Sequence, residues 1–259
     1  MEPVTLRALY AALDRRIPRS LSCSWDNDGV MCATSLDAEV RHVFCALDVT
    51  EDTVDEAVFA GADCILSHHP LIFRPISAVT EESVTGKTVL SLLEKKISVL
   101  SFHTRFDAVT GGVNDTLCSL LGLRVTGMFG TDGEALGRIA EVSAPTTFAA
   151  FCTQIKNALH APVLHCAYAR KPVSRIAVLG GDGKSDWQAA LAAGADTYLT
   201  GTMSYNTLLD AKAAGLNVAA AGHYYTEVPA VETLASWVRE EFPSLEVTVS
   251  DGGCPLMTL

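Results

Sequence analysis

Short apolar runs alternate with amphipathic stretches along this chain, and small-residue turns separate them. HVFCAL (42–47) is apolar almost throughout, and Asp48 ends it. Thr50 or Asp52 can cap a following helix with apolar positions Val54, Ala57 and Val58, and Gly61 stops it. DCILS (63–67) reads as the next strand. A helix follows over 83–96, where Lys95 and Lys96 suit its C-terminal dipole, and ISVLSFH (97–103) is a third strand. The plan then returns. RIAEV (138–142), RIAVLGG (175–181), DTYLT (196–200) and NVAAAGH (217–223) read as strands, with helices over 146–159 and 185–193. This alternation predicts an α/β fold with mainly parallel sheets and crossover helices.

Two segments line up as copies. AGADCILSHH (60–69) matches AGADTYLTGT (193–202) without a gap, and SFHTRFD (101–107) can be set beside AGHYYTE (221–227). Helix–Gly–strand joints look alike in any α/β protein, but two anchors recurring in the same order favour an internal duplication into two related lobes. The expected division is a first lobe from 1–126 with 222–259, carrying most candidate ligands, and a second from 127–221. The copies are unequal, because Gly201 and Thr202 stand where the first has His68 and His69.

Composition narrows the class. The 259 residues are 49% apolar and 19% charged, enough for one large domain or two modest ones. The opening MEPVTLRALYAALDRRIP lacks the apolar core of a signal peptide, and no run is long and apolar enough to span a membrane, so a cytoplasmic protein is expected. A net charge of −11 argues against a nucleic-acid surface. The eight cysteines form no Cys-x-x-Cys pair and several lie in apolar strands, which suits buried free thiols in a reducing compartment.

Candidate chemistry gathers at strand ends, where parallel α/β sheets place their sites. His68-His69, His103 and His223 each follow an apolar strand directly. Pro70 bends the chain out of its strand, so both preceding rings can face one locus. Pro229 is tolerated only in a first helical turn, which predicts Thr226 as N-cap, Glu227 in the first turn and His223 in the preceding loop. Val231, Leu234, Ala235 and Val238 then form the apolar face. Each residue also has a plainer explanation. The paired histidines suit an exposed turn, Glu227 suits a helix dipole, and Asp107 suits a cap. One cluster explains all of them at once. Imidazoles and carboxylates without a nearby cysteine suit Zn, Mn, Fe, Co or Ni. Two histidines with Asp107 and Glu227 could fill one site; three with both carboxylates fit two ions better, with positions left open for water.

At these residues the chain resembles the dinuclear-metal, Nif-three-like family, whose bacterial members are commonly called GTP cyclohydrolase I type 2 homologs. The motifs are WDNDGV (25–30), LDVTEDTVDEA (47–57), GADCILSHHPLIF (61–73), FHTRFDAVTGGVND (102–115), LGRIAEV (136–142) and GHYYTEVPAVETLA (222–235). The resemblance implies a toroidal homohexamer of two-lobed subunits with a metal pair facing the cavity. It implies His68, His69, Asp107, His223 and Glu227 as ligands of two divalent ions. Glu227 would bridge, with His68 and His223 on one ion and His69 and Asp107 on the other. His103 would be a nearby residue with a proton-transfer role. Two departures stand out: Arg105 where the family often has Asn, and Asp28-Gly29-Val30 where it usually reads Val-Gly-Leu. The first could alter substrate contacts.

Three functions follow. One is a metal-dependent hydrolase acting on a nucleotide or related small molecule, with phosphoester hydrolysis as a variant. Another is a non-catalytic metal-binding or protein-interaction hexamer. A ring that threads nucleic acid fits the charge least. GGDGKS (180–185) is no phosphate loop, since Val178 stands where the pattern needs Gly; it reads as a turn opening a helix.

Overall fold

The computed structural model describes residues 3–131 and 133–257. The chain forms two compact units, Met1–Phe106 with Val231–Gly253, and Asp107–Ala230 with Cys254–Leu259. The division read from the sequence sets the crossings at 126/127 and 221/222 instead. The first unit holds α1 (Leu6–Arg16), β1 (Gly29–Cys32), β2 (His42–Ala46), α2 (Glu51–Ala60), β3 (Cys64–Ser67), α3 (Val84–Lys95) and β4 (Ser98–Ser101). Helix α4 (Thr104–Ala108) carries the chain across. The second unit holds α5 (Val113–Leu120), β5 (Arg124–Phe129), β6 (Gly137–Thr146), α6 (Phe148–Ala158), β7 (His165–Ala167), β8 (Val173–Leu179), α7 (Trp187–Ala192), β9 (Thr197–Thr200), α8 (Tyr205–Ala213), β10 (Asn217–Ala220) and α9 (His223–Glu227). Then α10 (Pro229–Glu241) and β11 (Glu246–Val249) return to the first.

In the first unit the sheet order is β1-β4-β3-β2-β11, and only β1 runs antiparallel to its neighbour. Strands β2, β3 and β4 are buried at every position, as expected of parallel strands covered on both faces. Phe44, Ile65 and Val99 meet Val54 and Ala57 of α2 and Val89 and Leu92 of α3 in one core. The Thr50 side chain caps α2 by accepting from the Thr53 amide, and Gly61 ends it in the left-handed conformation at φ 73°.

The second sheet has the order β5-β6-β8-β9-β10-β7. Only β8, β9 and β10 are mutually parallel; β5, β6 and β7 pair antiparallel. The expectation of mainly parallel sheets therefore holds for the first unit and not the second. The chain turns from β5 into β6 through a short loop, which an antiparallel pair allows without a crossover helix. Leu117 and Cys118 of α5 join Phe151, Ile155, Val178 and Leu199 in this unit's core.

The repeated Ala-Gly-Ala-Asp does the same work in both units. Asp63 Oδ2 accepts from the amides of Arg41 (2.7 Å) and His42 (3.0 Å); Asp196 Oδ2 accepts from those of Ser174 (2.9 Å) and Arg175 (2.8 Å). Each carboxylate thus satisfies the start of the neighbouring strand. The second alignment can be compared with the ladder registers. Ser67 pairs with Ser101 as Thr200 pairs with Ala220, so Ser101 answers Ala220 and His103 answers Gly222. That is one residue away from the alignment of 101–107 with 221–227. Among the described residues no helix is long and apolar enough to cross a membrane.

Candidate metal centre

The imidazoles of the first unit come from the ends of two adjacent strands. His68 and His69 follow β3, and His103 follows β4. Their ligand atoms lie within 4.8 Å of one another, with ring centroids 5.0–5.7 Å apart. Each ring is oriented through Nδ1. His68 Nδ1 lies 3.0 Å from the Phe102 carbonyl oxygen, His69 Nδ1 2.7 Å from Asp48 Oδ1, and His103 Nδ1 2.8 Å from Asp26 Oδ1. A carbonyl or carboxylate oxygen only accepts, so each Nδ1 carries the proton and donates. In the neutral form of each ring that leaves the lone pair on Nε2. Metal-bound histidines are oriented through the same kind of bond. Three such rings in one cluster fit divalent cations of borderline softness.

Asp26 also accepts from the Thr104 amide and hydroxyl, at 3.0 and 2.6 Å, which ties the start of α4 to the loop after Trp25. Burial alone would raise the Asp26 carboxyl. The hydrogen bond and charge of His103, together with the two Thr104 bonds, outweigh burial and hold it at about 2. Trp25, 56% exposed, and Phe73 stand edge-on beside His103, with centroids 6.4 and 5.8 Å away. They form an aromatic wall next to the cluster.

In the second unit His223 opens α9 and Glu227 closes it. His223 Nε2 and Glu227 Oε2 are 3.0 Å apart, an i,i+4 pair on one face. This corrects the placement of His223 in a loop and of Thr226 as N-cap. Pro229 begins a separate helix, α10, so the proline sits where its missing N–H costs nothing. Thr226 is instead a buried brace. Its hydroxyl accepts from the Gly181 amide (3.0 Å) and bonds back to the Gly222 and His223 carbonyls at 3.1 and 2.9 Å. Glycines at the ends of β8 and β9 make room for α9. A Cβ on Gly181 would lie 2.2 Å from Glu227 Oε1, and one on Gly201 would lie 2.7 Å from Thr226 Oγ1.

Asp107 lies buried in α4, where the chain enters this unit. Asn114 and Arg138 fix its surroundings. Asn114 Nδ2 donates to the carbonyls of Asp107 (3.3 Å) and Leu136 (3.0 Å), and Oδ1 accepts from the Gly180 amide (2.8 Å). The fully buried Arg138 donates to the Ala108 and Val109 carbonyls and pairs with Asp115 at 2.8 Å. Neither Asn114 nor Arg138 stands out in the sequence by its own chemistry. Their signal was membership of FHTRFDAVTGGVND and LGRIAEV. Asp26 and Asp48 likewise carried no signal beyond WDNDGV and LDVTEDTVDEA.

Arg105 also lies in α4. It is fully buried, its Nε donates to Asp28 Oδ2 (3.1 Å), and its Nη1 pairs with Asp14 and donates to the Ile17 carbonyl (3.0 Å). Its guanidinium carbon lies 4.2 Å from the Phe102 ring centroid. The two departures from the family pattern, Arg105 and Asp28, are therefore partners in one buried ion pair.

Comparison with known proteins agrees with the fold. The chain is 33% identical over 234 residues to a GTP cyclohydrolase 1 type 2 homolog of Clostridium perfringens, covering 88% of each chain. It is 34% identical to the homolog of that name from Streptococcus pneumoniae, covering 90% of this chain and 91% of the relative. Among solved structures, a Staphylococcus aureus hypothetical protein, SA1388, superposes with a TM-score of 0.90 at 27% identity over the whole of both chains. The sequence pattern of Duf34/NIF3 (NGG1p interacting factor 3) matches residues 4–253. With that span matched nearly end to end, the chain belongs to the DUF34/NIF3 family.

Proposed function

We propose that this protein is a dinuclear metal-dependent hydrolase. His68, His69, Asp107, His223 and Glu227 would hold two divalent ions, with Glu227 as the shared carboxylate and His103 beside them. The observation that carries this reading is the trio of imidazoles, each held through Nδ1 by an oxygen acceptor. The family resemblance supplies the carboxylates and His223 as the remaining ligands. Bound, such a pair supplies a water made acidic enough to attack near neutral pH. The chain's own residues do the rest. Phe102, Asp48 and Asp26 orient the rings, Thr226 and the glycines seat Glu227, and His103, braced by Asp26, can move a proton at Nε2.

The substrate class is a nucleotide or a related small molecule with a planar ring. Trp25 and Phe73 support this, since aromatic faces beside His103 suit a flat heterocycle. The names of the curated relatives point the same way. A homohexamer follows from the resemblance. The matching roles of Asp63 and Asp196 support an internal duplication.

The test is elemental analysis and a nucleotide and phosphoester screen on freshly purified protein, with His68→Ala alongside. The expected result is turnover that disappears in His68→Ala while the assembly persists. A metal-loaded, intact assembly that turns over nothing on the panel would favour a binding role instead.

A further inference from the structure

The second unit holds a pair of thiols that the proposed chemistry does not use. Cys152 lies in α6 and Cys166 in β7, with Sγ atoms 3.7 Å apart. Cys166 is exposed and Cys152 half-buried, whereas Cys23, Cys32, Cys45, Cys64 and Cys118 are buried. The expectation of buried thiols thus fails at this pair.

Their approach is built into the fold. Phe151 and Ile155 root α6 in the core, and Cys152 packs on the rim of that core. Strand β7 is an edge strand, held to β10 with Cys166 opposite Ala219. Phe148, one turn before Cys152, stacks on Tyr168, two residues past Cys166, with centroids 5.5 Å apart and rings 6° from parallel. Residues i and i+4 share a helix face, and i and i+2 share a face of extended chain. The ring stack and the thiol pair are therefore neighbouring rungs of one contact.

We propose that Cys152 and Cys166 form a peroxide-responsive dithiol, in which Cys166 attacks and Cys152 resolves. Exposure gives a hydroperoxide access to Cys166. The hydrogen bond between the two sulfurs lowers the Cys166 thiol and raises Cys152, which favours the exposed sulfur as the nucleophile. The Cys166 thiolate attacks a peroxide oxygen, the O–O bond breaks, and the released hydroxide takes a proton to become water. The Cys152 sulfur then attacks the Cys166 sulfenic acid. The S–O bond breaks, and the leaving hydroxide departs as water with the Cys152 proton. Two thiols lose two electrons, and one hydrogen peroxide becomes two waters. The sulfurs close from 3.7 Å to the ~2.05 Å of a disulfide, tying α6 to the sheet edge.

The test treats the full chain with near-stoichiometric hydrogen peroxide, then alkylates, digests and weighs the peptides. Both cysteines should leave the alkylated pool together, by about ten-fold, and reappear as one cross-linked peptide that dithiothreitol reverses. In Cys152→Ser, Cys166 should run on to sulfinic acid. In Cys166→Ser, Cys152 should stay alkylatable at the same dose. Wild-type Cys166 reaching sulfinic acid with no cross-link, or cross-linking to Cys254 instead, would overturn the proposal.

Discussion

Arg105 and Asp28 become intelligible only together. In the fold, Asp28 also accepts from Arg19 and from Ser22 at 3.1 Å. Removing one partner of a buried pair strands the other, whereas replacing both can be nearly neutral. Arg105→Asn and Asp28→Val should each cost on the order of 3 kcal/mol in denaturant unfolding, and the double variant should cost less than their sum. Simple additivity would contradict the pairing. Asp26 gives a pH signature. Its carboxyl sits at about 2 when folded, against 3.8 as the ordinary value. Its bonds therefore stabilise the metal-free protein fully above pH ~4, and that contribution is lost as pH falls toward ~2, on the order of 2 kcal/mol in all. Asp26→Asn should flatten acid unfolding in that window; an unchanged profile would show the bonds contribute little. The histidines were legible because each ends an apolar run. Asp26 and Asp48 were not, because a carboxylate that orients a ring from a distant loop looks like any turn acid until the chain folds.

At the scale of elements, the glycines after β8 and β9 leave room for α9. Gly201 and Thr202 stand where the repeated sequence has His68 and His69, and the missing side chain of Gly201 leaves space for α9. Gly181 and Gly61 make a controlled comparison. Both have positive φ, at 65° and 73°, but a Cβ on Gly61 meets nothing within 4 Å. Gly61→Ala should pay only the left-handed backbone penalty of about 1–2 kcal/mol and keep its metal. Gly181→Ala should pay that penalty, displace Glu227 and lose bound metal, read by calorimetric melting and elemental analysis. Equal metal content in the two variants would remove the seating role of Gly181. The core strands and the caps at Thr50 and Gly61 were visible in apolar runs and punctuation. Helix α9 was not, because Pro229 was compatible with one helix starting at Thr226 as well as with two helices meeting at Val228.

At the scale of the whole molecule, the pattern of runs showed an α/β protein but not where the units meet. Leu117 and Cys118 read simply as the apolar face of a helix, and periodicity does not say which core that face joins. The second sheet's antiparallel strands were equally silent, since alternation with helices is counted the same whichever way a strand runs. Each unit buries its own apolar core without using the candidate ligands, so chelation should leave the protein folded. Unfolding on chelation, as in a zinc finger, would make the metal structural. Light scattering should show a hexamer, and a stable monomer would remove that expectation. The most direct measurement is bound metal per subunit in wild type and in Glu227→Gln, taken beside the melting temperature. The amide keeps the carboxylate's size but loses its charge and second strong acceptor. A dinuclear centre bridged by Glu227 predicts about two ions in wild type, and loss of both in the variant with the fold intact. Full occupancy in Glu227→Gln, with a stability change of only about 0.3–1 kcal/mol, would make Glu227 a helix-end carboxylate and contradict the shared site.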